Sequence, residues 1–328
     1  MRPFSYARPA TLEEARSLLS AAARPKGGGM DLLDLAKRGV STPDLLVDLR
    51  GVPGLDEIRA GDDGTLRLGA RATLARIATS AEVARSCPAI ADAAADAATP
   101  QVRNVATLAG NLLQRPRCAY FRDPFFDCLK RGGKTCPSLE GEHREGAVFA
   151  NALCCSVHAS NLAPALIACG ARIEILKGFA DGKPEMRTAE AEGFFVRPDE
   201  DPLREARLEP AEVITSFVVP DARASAYVEV DQKQSFDWAS ASCAVALEMA
   251  DGKVTAARVV LGAVAPIPWI ARAASEALIG NALDEATLAD VCASAVEGAT
   301  PLRDNAHKVR LVKVVVRRAL HRAAARAK

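Results

Sequence analysis

Helical spacing and strand alternation divide most of the chain into recognisable elements. In "PATLEEARSLLSAA" (9–22), Ala15, Leu18 and Leu19 share one face, Thr11 is the candidate N-cap, and Glu13 and Glu14 fall in the first turn. Three glycines then precede a second helical pattern in "RPKGGGMDLLDLAKRG". "DLLVDL", "TLRLGA" and "RATLARIA" alternate strand and helix signals. "EVARSCPAIADAAADAATP" predicts an alanine-rich helix stopped by Pro100, and "QVRNVATLAGNLLQ" a strand or turn around a Gly-Asn pair. "NLAPALIACGARIEIL" returns to a helix and then a strand, and a charged, proline-bearing segment follows near 178–210. The last third predicts strands at "SASCAVALEM" and "VTAARVVLGAV", then helices at about 271–279, 284–297 and 306–325. No internal repeat is visible. This order predicts an α+β chain with a break near 220, at "VVPDARAS".

From Pro116 to about Cys155 the pattern has no period. A long irregular connection inside a compact domain is usually functional or disordered. Tyr120, Phe121, Phe125 and Phe126 argue for order. The same stretch holds Cys118, Cys128, Cys136, Cys154 and Cys155, five of the nine cysteines. Thiolates suit soft metals, zinc or iron–sulfur. Zinc ribbons show tight C-x2-C pairs, and none occurs here, so the wide spacing fits a cluster better. Reduced structural cysteines are the plain alternative. Arg117, Arg122, Lys130, Arg131 and Lys134 would offset thiolate charge, or lie solvated on the surface.

Composition adds mainly exclusions. The 328 residues suggest two or three domains. Basic residues (42) and acidic residues (41) nearly balance at +1, so charge implies neither a nucleic-acid nor a membrane partner. Apolar runs fall short of a membrane span. "MRPFSYARPATLEEA" lacks the apolar core of a secretory signal, which predicts a cytoplasmic protein, or a periplasmic one exported with a signal-bearing partner. An odd cysteine count argues against a disulfide framework. Cys87, Cys169, Cys243 and Cys292 sit in apolar patterns and read as core. His158 follows Cys154 by four and reads as a hydrogen-bonding residue rather than a ligand; His143, His307 and His321 carry no constellation. No hydrolytic set of Ser, His and Asp stands out.

Two glycine stretches could bind phosphate. Gly27-Gly28-Gly29 before a helix lets backbone N–H groups approach an anion at the helix N-terminus, or simply makes a turn. Gly110-Asn111 predicts a positive-φ position with an exposed amide, or again a turn.

Taken in order, these stretches resemble the FAD-binding medium subunit of the xanthine dehydrogenase (molybdenum hydroxylase) family over nearly the whole chain. The likeness is to the branch with an extra [4Fe-4S] cluster, which includes flavin subunits of periplasmic aldehyde oxidoreductase and 4-hydroxybenzoyl-CoA reductase. "FSYARPATLEEARSLL", "GGGMDLLDLAK", "TPQVRNVATLAGNLLQRPRCAYFR", "CLKRGGKTC", "GEHREGAVFA", "LGAVAPIPWIA" and "ATPLRDNAHKVRLVKVVVRRAL" carry it, with "VHASNLAPAL" beside the last two cysteines. The resemblance implies an α+β fold. A two-lobed FAD-binding domain of the vanillyl-alcohol-oxidase type spans 1–220, with lobes of about 1–55 and 56–220 and an Fe-S loop at 114–156. A smaller C-terminal α+β domain of the CO-dehydrogenase flavoprotein type spans 221–328. It implies FAD contacts at Lys26, Gly27, Gly28, Gly29, Met30, Asp31, Leu32, Thr107, Ala109, Gly110, Asn111, Ser160, Asn161 and Lys233. Cys118, Cys128, Cys136 and Cys154 become cluster ligands, with Cys155 as alternative to Cys154. It implies partner chains holding molybdenum cofactor and [2Fe-2S], in a heterotrimer or dimer of heterotrimers, oxidising an aldehyde or N-heterocycle.

Several positions depart from the family's pattern. Met30 stands for the usual Thr, Ala109 for a Gly, and Ala159 and Asn161 for the Pro and Asp of "H-P-S-D". "YVEVDQKQSFDWA" stands where the family shows "Y-x-K-V-R-x-R-x-S", so Glu229 and Asp231 reverse two positive charges and Lys233 keeps one. These departures motivate two alternatives, a non-catalytic assembly subunit with a degenerate flavin site and a stand-alone FAD oxidase.

Overall fold

A computed structural model describes every residue except 62, 234, 235 and 328. Gln234 and Ser235 of the "YVEVDQKQSFDWA" stretch therefore lie outside the described residues. Three sheets follow one another along the chain. Ser5–Ala7, Leu45–Asp48 and Ala23–Lys26 form a small parallel sheet with Leu45–Asp48 in the middle. Five antiparallel strands follow, in the order Ile58–Ala60, Leu66–Gly69, Val213–Val219, Arg172–Ala180 and Lys183–Glu190. The third sheet is antiparallel, in the order Trp269–Ile270, Lys253–Gly262, Ala239–Ala250 and Ser225–Asp231. The chain is thus a mixed α/β fold, with sheet three beginning just past the break expected near 220.

Local chemistry explains most element boundaries. Thr11 accepts a hydrogen bond from the Glu14 amide and starts the helix Leu12–Leu18. The expected alanine-rich helix is divided into Ala81–Ser86 and Pro88–Asp96, because Pro88 brings no N–H and suits a first helical position. Pro100 likewise opens a short helix, Pro100–Arg103, rather than only ending one. The stretch expected to be a strand or turn around Gly110 is the helix Leu108–Leu112, capped by Thr107. Within the charged 178–210 segment, the strand Lys183–Glu190 gives no alternation signal because all its residues are exposed or half-buried.

Two large cores carry the fold. One packs the helices Leu74–Thr79, Pro88–Asp96 and Leu162–Ala168 against the five-stranded sheet. The other lies between the third sheet and the long helix His307–Arg326. That helix buries Val312, Val315, Val316, Ala319, Leu320 and Ala323, while Val314 faces solvent. Cys87, Cys169, Cys243 and Cys292 are buried, as expected.

The N-terminal end of the long helix also grips the irregular loop. Lys308 is fully buried, and its Nζ donates to Ala263 O at 2.7 Å and Glu145 O at 2.9 Å. Asn305 Nδ2 donates to Gly146 O and Ala147 O. An orphaned buried acceptor costs roughly 1–3 kcal/mol. Lys308→Ala, which orphans two, should therefore lower the unfolding free energy by several kcal/mol in chemical denaturation. A loss below about 0.5 kcal/mol, the scatter of neutral surface changes, would show that the contact carries no weight.

Candidate functional site

The two glycine stretches are in contact. Gly29 takes φ 79° and is the N-cap residue of the helix Met30–Lys37, a left-handed conformation that glycine adopts without strain. A Cβ on Gly28 would collide with the Val105 carbonyl oxygen, and one on Gly27 or Gly110 would crowd Thr107 Oγ1 at 2.8 or 2.9 Å. Thr107 is therefore wedged between the two motifs. Gly110 does not take the positive φ expected of it, and its amide donates to Thr107 Oγ1 at 3.3 Å. It is needed for closeness, not for handedness. Lys26 Nζ points back at Asp48 at 3.7 Å and Gly27 O at 3.4 Å, and burial pulls its pKa down against that carboxylate. Met30 is exposed, with Leu32 and Ala109 half-buried beside the loops.

Asp31 has an occupation the sequence did not suggest. Its carboxylate receives Arg122 Nη2 at 2.6 Å, the Arg115 amide at 2.9 Å and Arg117 Nη2 at 3.2 Å. Asp34, one turn on, takes Arg122 Nη1 at 2.6 Å. Arg122 itself is buried and also donates to Pro116 O and Arg115 O. Arg115 and Lys130 pair with Glu205, at 2.8 and 3.1 Å. Of the five cations thought to offset thiolate charge, Arg117, Arg122 and Lys130 are thus engaged in ion pairs, and Arg131 ties the carbonyls of Phe121 and Asp123. The signal for Arg122 was present in Asp31 and Asp34, three apart on one helix face. Glu205 and Lys308 gave no such hint.

The loop's thiols lie close enough to perturb one another. Burial pushes the Cys118 thiol up to about 11, with neighbouring Cys154 and Cys128 adding to the shift. Burial raises Cys128 too, and Cys154 contributes. Cys136 is pulled down by Cys154, but contact with Cys155 and burial raise it more. Contact with Cys136, then burial, raises Cys154 well above the ordinary thiol range. Cys155 is lowered, chiefly by Cys136. Cys154 is therefore the thiol that Cys118, Cys128 and Cys136 all feel. Among the described residues no group of three or more His, Cys, Asp or Glu side chains is arranged for one metal ion.

A cavity of about 660 Å³ lies beside this loop, within the range of small-molecule sites. Cys118, Cys155, Asn161, Tyr227, Lys233 and Trp238 are among the residues that line it. Arg117 stacks over the Trp238 ring at 4.4 Å. Asn111 joins the cavity to the glycine motifs, since its Oδ1 accepts from Ser160 Oγ at 2.6 Å. His158 also lines the cavity, is 5% exposed, and has no protein partner for either ring nitrogen. Burial, with Lys130 nearby, pushes its pKa down to about 4, so the ring is neutral at neutral pH.

Asn161 and Glu229, two departures 68 residues apart, touch: Asn161 Nδ2 donates to Glu229 Oε2 at 2.6 Å. Tyr227 OH donates to the same oxygen at 2.6 Å. Burial pushes Glu229 up to about 7; the Tyr227 and Asn161 hydrogen bonds oppose the shift, and Asp231 and Asp96 reinforce it.

Comparison with known proteins agrees with this architecture. Residues 2–222 match the FAD binding domain in molybdopterin dehydrogenase, and residues 225–323 match the CO dehydrogenase flavoprotein C-terminal domain. The chain is 35% identical to the aldehyde oxidoreductase FAD-binding subunit of Escherichia coli, over the full length of both. It is 30% identical to the carbon monoxide dehydrogenase medium chain of Afipia carboxidovorans, over 99% of this chain and 98% of that one. A solved carbon monoxide dehydrogenase from Hydrogenophaga pseudoflava superposes with TM-score 0.77 at 26% identity, covering 100% of this chain and 99% of that one. The chain belongs to the molybdenum hydroxylase family, as one of its FAD-binding oxidoreductase subunits.

Proposed function

We propose that this chain is an electron-transfer subunit carrying both FAD and a [4Fe-4S] cluster, within a complex that oxidises an aldehyde or an N-heterocycle. Partner chains supply the molybdenum cofactor and a [2Fe-2S] centre, in a heterotrimer or a dimer of heterotrimers. What supports the reading is the full-length likeness to an aldehyde oxidoreductase FAD-binding subunit, together with free cysteines at 118, 128, 136, 154 and 155 on one loop that Arg122 straps to the glycine helix. No nucleic-acid partner is expected, and among the described residues no helix is long and apolar enough to cross a membrane.

When bound, the flavin and the cluster supply the redox chemistry, and the protein supplies position and electrostatics. The amides around Gly27, Gly28 and Gly29 and the helix behind them hold the pyrophosphate. Thr107, Gly110 and Asn111 back that loop, and Ser160 and Asn161 lead from it to the cavity, where the flavin ring system belongs. Asp31 acts by fixing the cysteine loop to the glycine helix rather than by touching the cofactor. Cys118, Cys128, Cys136 and Cys154 would hold the cluster, with Cys155 in contact with Cys136. What favours a working flavin site over a degenerate one is that Asn161 and Glu229 bond to each other instead of facing unpaired charge.

Anaerobically purified protein should contain iron and acid-labile sulfide approaching the content of one [4Fe-4S] cluster per chain. Cys154→Ser should lose both while Cys155→Ser keeps them. Zinc without sulfide would sink the cluster reading, and the reverse pattern in the two variants would make Cys155 the ligand.

The flavin cradle has its own test. Overpacking by a methyl group costs roughly 1–3 kcal/mol, so Gly28→Ala should weaken FAD binding about tenfold or more, with iron content and far-ultraviolet circular dichroism unchanged. Flavin retained at the unsubstituted protein's affinity would mean that the loop is only a turn.

A further inference from the structure

Asn161 and Tyr227 line the cavity, and the Glu229 carboxyl that both of them bond carries chemistry that the electron-transfer reading does not use. Both described hydrogen bonds to Glu229 fall on Oε2, from Asn161 Nδ2 and Tyr227 OH. Oε1 is thus the oxygen left to carry a proton. Charges around it come from every neighbouring element. Asp231 lies on the same strand, and its partly buried carboxyl is raised by burial, Asp96 and Asp237. Asp96 on the helix Pro88–Asp96 is raised by burial and by Asp92. On the strand Ala239–Ala250, Ser242 stands opposite Glu229 in register and carries no charge. From the long helix, Arg322 donates to Tyr227 O at 3.0 Å, and both Arg322 and Arg326 are turned to Asp92. No cation is directed to Glu229 itself among its recorded partners. A carboxyl in that setting resists ionising until about pH 7. An occupant of the cavity is indicated independently by His158, a buried lining residue with both ring nitrogens unpartnered.

We propose that Asn161, Tyr227 and Glu229 form a proton store for the flavin, with Glu229 taking up a proton as the flavin is reduced. This rests on the reading that the flavin ring occupies the cavity. Reduction of the flavin brings two electrons, delivered by the [2Fe-2S] partner, and leaves the ring more negative. Negative charge near Glu229 raises its proton affinity further. Solvent supplies a proton by way of the partly exposed Asp231, and the O–H bond forms on Glu229 Oε1. On reoxidation the electrons leave to the acceptor and the same proton returns to solvent. Asn161 is a positioning residue: its amide keeps Oε2 bonded in both states, where the family's aspartate would repel the carboxylate.

The sign follows from linkage. Below about pH 7 Glu229 already carries its proton in the oxidised state, so reduction takes up none there. Above it, reduction takes up one proton more. The flavin midpoint potential should therefore fall more steeply with pH above neutrality than below.

Spectroelectrochemical titration of the FAD in the assembled complex across about pH 5 to 9, about two units either side of neutrality, tests this. Flavin content is measured first by absorbance. Unsubstituted protein should show the steepening, and flavin-replete Glu229→Gln should show none. The double variant Asn161→Asp with Glu229→Lys, which restores the family's pair, should also show none, and it decides the matter if Glu229→Gln fails to hold flavin. The same steepening in any flavin-replete variant lacking the Glu229 carboxyl overturns the proposal alone. Absence of flavin from the unsubstituted complex overturns the flavin reading together with it.

Discussion

Arg122 places a guanidinium where only 6% of its side chain meets solvent. Desolvating such a charge costs several kcal/mol unless geometry and pairing compensate, and removing one partner of a buried pair costs roughly 3–5 kcal/mol. Here compensation comes from two carboxylates on one helix, Asp31 and Asp34, and from two loop carbonyls. The cost of breaking that set fixes the start of the cysteine loop against the helix that follows the glycines. Arg115 and Lys130 extend the same device to Glu205, so the charged segment near 200 closes over the loop from the other side. The cysteine loop and the glycine loops thereby share one rigid reference.

A loop with almost no ladder of its own must satisfy its backbone elsewhere. Side chains do so here. Arg131 takes the carbonyls of Phe121 and Asp123, and Ser138 Oγ takes Glu142 O. His143 donates from Nδ1 to Ser138 O and accepts the Asp304 amide at Nε2, which fixes its tautomer. Lys308 and Asn305 finish the set from the C-terminal helix. The loop belongs to both domains for this reason. Its cysteines need no short-spaced pairs, because their positions are imposed by distant residues instead of by one tight turn.

This division also explains what could be read in the sequence. Elements whose apolar faces pack on a core were legible, such as the helices Leu12–Leu18 and His307–Arg326, because burial writes a period into the chain. The family was legible because its glycine and cysteine stretches keep their order. What escaped was whatever depends on contacts far apart in sequence. Glu205, Lys308 and Tyr227 look unremarkable until a partner about 90, 163 or 66 positions away is known. The Gly110 stretch was misjudged for a related reason. A small residue there answers to Thr107 and the neighbouring loop, and nothing in local turn chemistry distinguishes close approach from positive φ.

The departures from the family pattern illustrate the same point in electrostatic form. Considered singly, Asn161 loses a negative charge and Glu229 replaces a positive one with a negative one, and both suggest a decaying site. In space they are one exchange. An aspartate beside a lysine carries no net charge, and an asparagine beside a protonated glutamate carries none either. Burial, Asp96 and Asp231 all favour that protonated form. The difference lies in what the pair can do. An ion pair of lysine and aspartate holds its charge across the physiological range, whereas a carboxyl near neutrality changes charge when its neighbour does. The exchange leaves the pair without net charge while its carboxyl is protonated, and so need not mark a decaying site.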